Sequence, residues 1–235
     1  MSRPFHFKQF SIEQTRTPMK VGTDGVLLGA WCTCGPVGNA LDIGTGTGVI
    51  SLMIAQRNPT AKITGIDPDP NAIAEARRNF LNSPWSERLE AIETKLQEFD
   101  RMSEFDLIVS NPPFFENSLK PPSNGRTTAR HTVSLAPKEL VAATALLSKT
   151  GVLSGIYPVD TFDSFDKLMT EINFHPQRVT FVKPTPNKET HRVLFEYKEG
   201  KENIPATSEL IIEQAGRHHY SDEYIELTKD FYLKM

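Results

Sequence analysis

Cysteine is scarce in this chain, with only Cys32 and Cys34 among 235 residues, both in Trp31-Cys-Thr-Cys-Gly35. No second ligand pair accompanies them, which argues against zinc, and ordinary reduced, partly buried thiols are expected. No set of His, Asp and Glu has metal-ligand spacing either, so no catalytic metal is predicted. Long apolar runs are missing: none approaches the roughly 18 residues of a membrane span. The opening Met1-Ser-Arg-Pro-Phe-His-Phe-Lys8 has no apolar h-region, so no signal peptide and a cytoplasmic location are expected. A large excess of one charge is absent too, the formal net charge being -3. That argues against a generic nucleic-acid coat while leaving room for local basic surfaces. There is no internal repeat and no low-complexity segment. What is present, 38% hydrophobic and 23% charged residues, suits a globular chain large enough for one α/β domain.

Hydrophobic patterning predicts strands at 40–44, 61–66, 89–94, 105–109 and 151–157, and helices at 49–56, 71–81, 137–148 and 162–172. Residues 177–182 and 192–197 read as a closing antiparallel pair. Residues 209–214 read as a short extra strand and 221–232 as a terminal helix. Residues 1–36 read as irregular, except that Thr23-Asp24-Gly25 could cap a short helix ending at Trp31. Strands alternating with helices imply βαβ units, a mostly parallel sheet and ligands at the carboxyl ends of strands.

Two stretches carry chemistry. Asp42-Ile-Gly44-Thr-Gly46-Thr-Gly48 lies between the first predicted strand and helix, where glycines let a ligand approach the backbone. Asp67 ends the next strand, about 20 residues on, where a carboxylate accepts hydrogen bonds from ribose hydroxyls. A dinucleotide fingerprint, G-x-G-x-x-G, would need glycine at position 49, which is Val49. The second stretch is Ser110-Asn111-Pro112-Pro113-Phe114-Phe115. Two prolines stop the strand, and a following proline holds Asn111 extended. This corner offers the Asn111 amide and the Pro112 carbonyl as acceptors for one NH2 group, beside a ring that can stack.

Together, the G-x-G-x-G spacing, Asp67 and Asn111-Pro112-Pro113-Phe114 resemble the class I S-adenosylmethionine-dependent methyltransferases. The resemblance implies a Rossmann-like α/β fold with a mostly parallel seven-stranded sheet and an antiparallel closing strand. It also implies that Asn111, Pro112 and Phe114 hold an amine or amide nitrogen awaiting methylation. Asn111 has no basic group, so its implied role is orientation rather than proton abstraction.

Further stretches resemble one subfamily, the bacterial tRNA1(Val) adenine-N6 methyltransferases. They are Phe7-Lys-Gln-Phe10, the run from Met19 to Trp31, Ala129-Arg130-His131, His191-Arg192-Val193-Leu194, and the end from Tyr220 to Leu233. The resemblance implies a tRNA substrate, methylated at the adenine 3′ of the anticodon. It places S-adenosylmethionine on Thr23, Asp24, Asp42, Gly44, Gly46, Gly48, Asp67 and Asn111, and RNA on Arg126, Arg130, His131 and Arg192. It divides the chain into residues 1–36, capping the active site, and a single methyltransferase domain, 37–235, with a C-terminal strand and helix extension. No obligate protein partner is inferred. Two departures stand out. Many members have tyrosine in place of Phe114, and Lys95 stands where an acid often meets the cofactor adenine.

The surroundings of the corner are basic. Lys120, Arg126, Arg130 and Lys138 lie between Glu116 and Glu139 with no acid among them. Residues 175–192 add Arg178, Lys183, Lys188 and Arg192 against Glu189 alone, and Arg217-His218-His219 forms a third patch. Such stretches suit phosphate contacts around a presented base. The competing targets are a ribosomal guanine N2 and a protein glutamine, and the competing class is a non-catalytic cofactor-binding module.

Overall fold

The computed structural model describes residues 3–17, 20–99, 104–112 and 135–235. The chain opens with β1 (Phe5–His6) and β2 (Ser11–Ile12), a short antiparallel pair, followed by α1 (Thr23–Trp31). Then come β3 (Asn39–Ile43), α2 (Val49–Arg57), β4 (Lys62–Asp67), α3 (Pro70–Leu81), β5 (Leu89–Glu93) and β6 (Phe105–Ser110). After α4 (Pro137–Ala142) follow β7 (Leu147–Pro158), α5 (Val159–Glu171), β8 (Phe174–Lys183), β9 (Arg192–Glu199), β10 (Ala206–Ile211) and α6 (Asp222–Thr228).

The large sheet has the order β10-β8-β9-β7-β6-β3-β4-β5, and β9 alone in it runs antiparallel to its neighbours. Seven strands match the expected sheet with its antiparallel closing strand. The extra strand, expected at 209–214, lies a few residues earlier and adds an eighth, parallel to β8.

Alternation within the strands explains the layers. Ala40, Leu107, Val109, Val152 and Leu194 join one core with α1 and α2. Their neighbours Leu41, Ile108, Leu153 and Val193 join the other, with Phe165 of α5 and Leu140 of α4. Successive side chains point to opposite faces, so an apolar run with both faces covered must lie inside the sheet. A third cluster packs Phe7, Phe10 and Ile12 against Ile73, Ala76 and Phe80 of α3.

One helix is half its expected length. The stretch 137–148 becomes α4, a single 3-10 turn over Ala143–Leu146, and then β7, because Leu147 already pairs with Phe105. Ser148 also donates to Asp106 Oδ1 at 3.0 Å. Sheet pairing overrides helical periodicity at that point.

The chain runs outward from β3 to β4 and β5, then returns to lay β6 beside β3 on its other side. This reversal opens a crevice at the carboxyl ends of β3 and β6. By strand direction, the β8–β9 turn and the carboxyl end of β10 lie along the same rim.

Candidate active site

The turn after β3 is built on three glycines in the left-handed region, Gly44 (φ 75°), Gly46 (φ 56°) and Gly48 (φ 84°). Such φ values cost L-residues energy. The three serve two purposes. A Cβ on Gly48 would run into the Phe80 ring, so that glycine lets α2 and α3 approach. A Cβ on Gly44 would meet nothing within 4 Å, and one on Gly46 only the Gly44 carbonyl at 4.0 Å. That side of the turn is open backbone, the form a ligand cradle takes. Gly44 N–H and Thr45 N–H both donate to the Ile66 carbonyl, at 2.9 and 3.0 Å, tying the turn to the end of β4.

Two carboxylates hold this turn. Asp42 is fully buried. Its Oδ2 accepts from Thr45 Oγ1 (2.8 Å), Ser51 Oγ (2.7 Å) and Ser51 N–H (3.2 Å). Its Oδ1 is buried with no partner. Burial pushes its carboxyl up to about 6, against the pull of the Ser51 and Thr45 bonds. Asp67 accepts from Gly46 N–H (3.0 Å) on Oδ2 and from Asp69 N–H (2.9 Å) on Oδ1. Burial raises its carboxyl too, and the two backbone donors oppose that rise. Asp67 thus sits beside the open face of the turn, at the end of β4, while Asp42 braces it from beneath.

β6 delivers Asn111 to the same rim. Ser110 is buried and donates to the Ile43 carbonyl at 2.9 Å, joining the ends of β6 and β3. Asn111 follows, half-buried, and Pro112 is buried. The Asn111 amide nitrogen lies 3.8 Å from where a Cβ on Gly25 would stand, and Val49 Cγ1 is 3.5 Å from that point. So α1, the start of α2 and the corner meet, and glycine at position 25 leaves room between them. Pro113, Phe114, Arg126, Arg130 and His131 lie outside the described residues.

Thr23 and Asp24 open α1, but Thr23 does not cap it. Gly22 occupies the cap position without a side-chain bond. Thr23 is exposed, and Asp24 binds Arg192, whose Nε donates to Asp24 Oδ2 at 2.8 Å. Arg192 Nη1 also donates to the His191 carbonyl at 3.1 Å. The structure therefore brings Arg192, expected on RNA phosphates, to the residue expected near the cofactor. Lys95 turns outward to Glu98 (3.3 Å), both side chains well exposed. The backbone after β5 is held instead by Thr94 N–H, which donates to the Asp67 carbonyl at 3.1 Å.

Two residues of α3 escaped sequence reading. Glu75 is buried and accepts from Thr15 N–H (2.5 Å), Thr15 Oγ1 (3.0 Å), Arg16 N–H (2.6 Å), Thr17 N–H (3.2 Å) and Thr17 Oγ1 (2.7 Å). Burial disfavours its charge, yet these donors outweigh burial and hold its carboxyl below the usual range. Asn79, one turn on, accepts from Glu13 N–H (2.8 Å) and donates to the Glu13 and Thr47 carbonyls, at 3.1 and 2.9 Å. Asn79 therefore joins the N-terminal segment to the glycine turn. A Glu and an Asn four apart on a helix normally mark a solvated face, so nothing local distinguishes this pair.

Along the same rim, Ile212 N–H and Glu213 N–H donate to the carbonyls of Lys183 and Pro184. This pairing sets the 184–191 turn, with Lys188 and His191, beside the 212–219 segment, with Arg217, His218 and His219. Lys183 itself pairs with Glu209 at 2.7 Å, and Arg178 with Glu196 at 3.2 Å. Those two cations of the expected basic stretch are thus committed within the protein. Among the described residues, no group of three or more His, Cys, Asp or Glu could hold a metal ion. Nor, among them, is any helix long and apolar enough to cross a membrane.

Residues 26–153 match the model of the methyltransferase small domain. A Flavobacterium psychrophilum protein, named tRNA1(Val) (adenine(37)-N6)-methyltransferase, is 45% identical over 98% of this chain and all of its own length. A Phocaeicola vulgatus protein of the same name is 46% identical, covering 98% of each chain. Among solved structures, a protein of Agrobacterium tumefaciens titled a predicted O-methyltransferase aligns with TM-score 0.70 at 19% identity. That alignment covers 88% of this chain and 96% of that one, a likeness of fold alone. The open glycine turn flanked by Asp67 fits the cofactor of class I methyltransferases, S-adenosylmethionine. The chain belongs to the tRNA1(Val) (adenine(37)-N6)-methyltransferase family.

Proposed function

We propose that this protein methylates the N6 amine of adenine 37, immediately 3′ of the anticodon, in tRNA1(Val). The observation that carries this reading is the placement of Asn111-Pro112 beside the open glycine turn, in a chain so similar to its relatives end to end. S-adenosylmethionine, when bound, supplies a methyl group on a sulfonium, activated for transfer to a nucleophile. The chain's own part is binding and alignment.

Gly44 and Gly46 admit the cofactor close to the backbone, and Asp67 accepts hydrogen bonds from its ribose. Gly48, Asp42 and Asn79 keep that turn in shape. Asn111 Oδ1 and the Pro112 carbonyl accept the two N–H bonds of the target amine. This turns the nitrogen lone pair toward the methyl group, which a ring-conjugated amine does not do unaided. Phe114 stacks on the adenine, and Arg126, Arg130 and His131 engage the flanking RNA. Arg192 acts by setting Asp24 at the mouth of the site. An anticodon loop is single-stranded, so extruding one base costs less than opening a duplex.

In this reading residues 1–36 cap the active site of a single domain, 37–235. The enzyme works in the cytoplasm on tRNA and needs no metal and no protein partner. The test offers purified protein and labelled methyl donor three substrates: total tRNA, ribosomal RNA and a release-factor-like protein. Label recovered as N6-methyladenosine in valine tRNA is expected. Label only in protein, or as N2-methylguanine in ribosomal RNA, would overturn the assignment.

A further inference from the structure

The two cysteines remain outside this chemistry, and their surroundings are built in detail. Cys32 follows the last residue of α1 and is buried, while Cys34 is half-buried. Their sulfurs stand 3.8 Å apart. A guanidinium is held against both: Arg57 Nη1 lies 3.2 Å from Cys34 Sγ and 3.6 Å from Cys32 Sγ. The same nitrogen donates to the Gly29 and Cys32 carbonyls, at 2.9 and 2.7 Å, so its position is fixed.

The turn carrying the pair is pinned from every side. Thr33 N–H and Oγ1 donate to Glu196 at 2.6 and 2.9 Å. Asn58 Nδ2 donates to the Gly35 and Val37 carbonyls at 3.0 and 3.3 Å. Arg178 donates to the Trp31 carbonyl at 2.6 Å and lies over the Trp31 ring, 3.7 Å from its centroid. The charged groups facing the sulfurs are therefore Arg57 of α2, Arg178 of β8 and Glu196 of β9.

The two thiols differ in kind. The hydrogen bond with Cys32 and the charges of Arg57 and Arg178 draw the Cys34 thiol below its ordinary value, against burial and Glu196. The bond to Cys34, with burial, pushes the Cys32 thiol well up. A partly exposed thiol whose ionisation is eased, 3.8 Å from a buried thiol whose ionisation is opposed, is the arrangement of an attacking and a resolving cysteine.

We propose that Cys34 and Cys32 form a peroxide-reactive dithiol, in which Cys34 is oxidised first and Cys32 closes an intramolecular disulfide. In the first step the Cys34 thiolate attacks one oxygen of a hydroperoxide. An S–O bond forms, the O–O bond breaks, and the departing hydroxide or alkoxide takes a proton. In the second step Cys32 sulfur attacks Cys34 sulfur, the S–O bond breaks, and the hydroxide leaves as water with the Cys32 proton. Two thiols and one peroxide give one disulfide and two hydroxylic products. Closure needs the sulfurs to move from 3.8 Å to roughly 2 Å, with loss of the Arg57 contacts. Disulfides of reducing compartments are typically transient and redox-sensing, which fits a pair at the end of α1, the helix that starts with Thr23 and Asp24.

The experiment treats whole protein with stoichiometric hydrogen peroxide and follows intact mass, with dimedone as the trap for sulfenic acid. Wild type is expected to lose two hydrogens within one chain and to regain them with dithiothreitol. Cys32→Ser should accumulate a dimedone adduct at residue 34, and Cys34→Ser should show severalfold slower reaction and no disulfide. Wild type remaining a dithiol, linking between chains instead, or Cys34→Ser reacting as fast as Cys32→Ser would each overturn the proposal.

Discussion

Arg192 and Asp24, 168 residues apart in sequence, meet through a 2.8 Å bond from Nε to Oδ2. Their side chains are 16% and 28% exposed, so water screens the pair only in part. It fastens the first residue of β9, which pairs with the last residue of β7, to the first turn of α1. A double-mutant cycle with Asp24→Asn and Arg192→Met should give a coupling of about 1–2 kcal/mol in urea unfolding, between surface and buried values. Because Arg192 is committed this way, Arg192→Met should leave the salt slope of tRNA binding nearly unchanged while lowering kcat. A slope flattened by about one phosphate contact would return Arg192 to the RNA.

Asn111→Ala should keep the fold and lose most methyl transfer, with a far smaller loss of cofactor affinity, since orientation acts at the reacting nitrogen. Phe114→Tyr should remain active. Phe114→Ala should lose roughly 1–3 kcal/mol of base stacking. Single-turnover methylation beside calorimetry of cofactor binding separates these effects. Near wild-type turnover in Asn111→Ala would end the orientation mechanism.

Asp67→Ala should weaken S-adenosylmethionine binding by roughly 1–3 kcal/mol. Part of that loss is indirect, because Asp67 also accepts from Gly46 N–H and holds the turn in place. Asp67→Asn, which keeps one acceptor oxygen, should fall between. Isothermal titration with S-adenosylhomocysteine gives the ranking, and unchanged affinity in Asp67→Ala would remove the ribose assignment.

Asp42 gives stability an unusual pH slope. Its carboxyl is raised from 3.8 to about 6 in the native state. Between those values the native protein keeps a proton that the unfolded chain has released. Stability from this group is therefore fullest below pH 4, falls as pH rises through about 6, and is level above. The shift corresponds to a change on the order of 3 kcal/mol. Glu75 works the other way: its lowered carboxyl stabilises above the ordinary glutamate value, and that gain is lost as pH falls through the native one. Urea unfolding from pH 4 to 7, wild type against Asp42→Asn, should show the downward component only in wild type.

Glu75→Ala should cost about 3 kcal/mol, because five donors from Thr15, Arg16 and Thr17 lose their acceptor in a buried setting. Hydrogen exchange should rise at residues 13–17 before any change in the sheet. Exchange rising uniformly would mean that the N-terminal segment is not held as a separate unit.

Several features were legible in the residues themselves. Glycines at 44, 46 and 48 followed by an apolar helical period dictate a strand, a left-handed turn and a helix, because only local sterics are involved. Asn-Pro-Pro ends a strand for the same reason. Strand and helix alternation then leaves few topologies besides a parallel sheet with a switch point. The match of the opening and closing segments to one family carried the substrate class.

Tertiary structure alone decided the rest. It cut the 137–148 helix short because Leu147 found Phe105, a competitor that helical periodicity cannot register. It made Glu75 and Asn79 the anchor of the N-terminal segment, although their spacing marks an ordinary polar helix face. It paired Arg192 with Asp24 where charge counting had set Arg192 on phosphate, and set Cys32, Cys34 and Arg57 in one contact. Turns and periods arise from neighbours along the chain. A buried carboxylate or cation is defined by what distant segments bring to it, and only the folded chain makes those meetings.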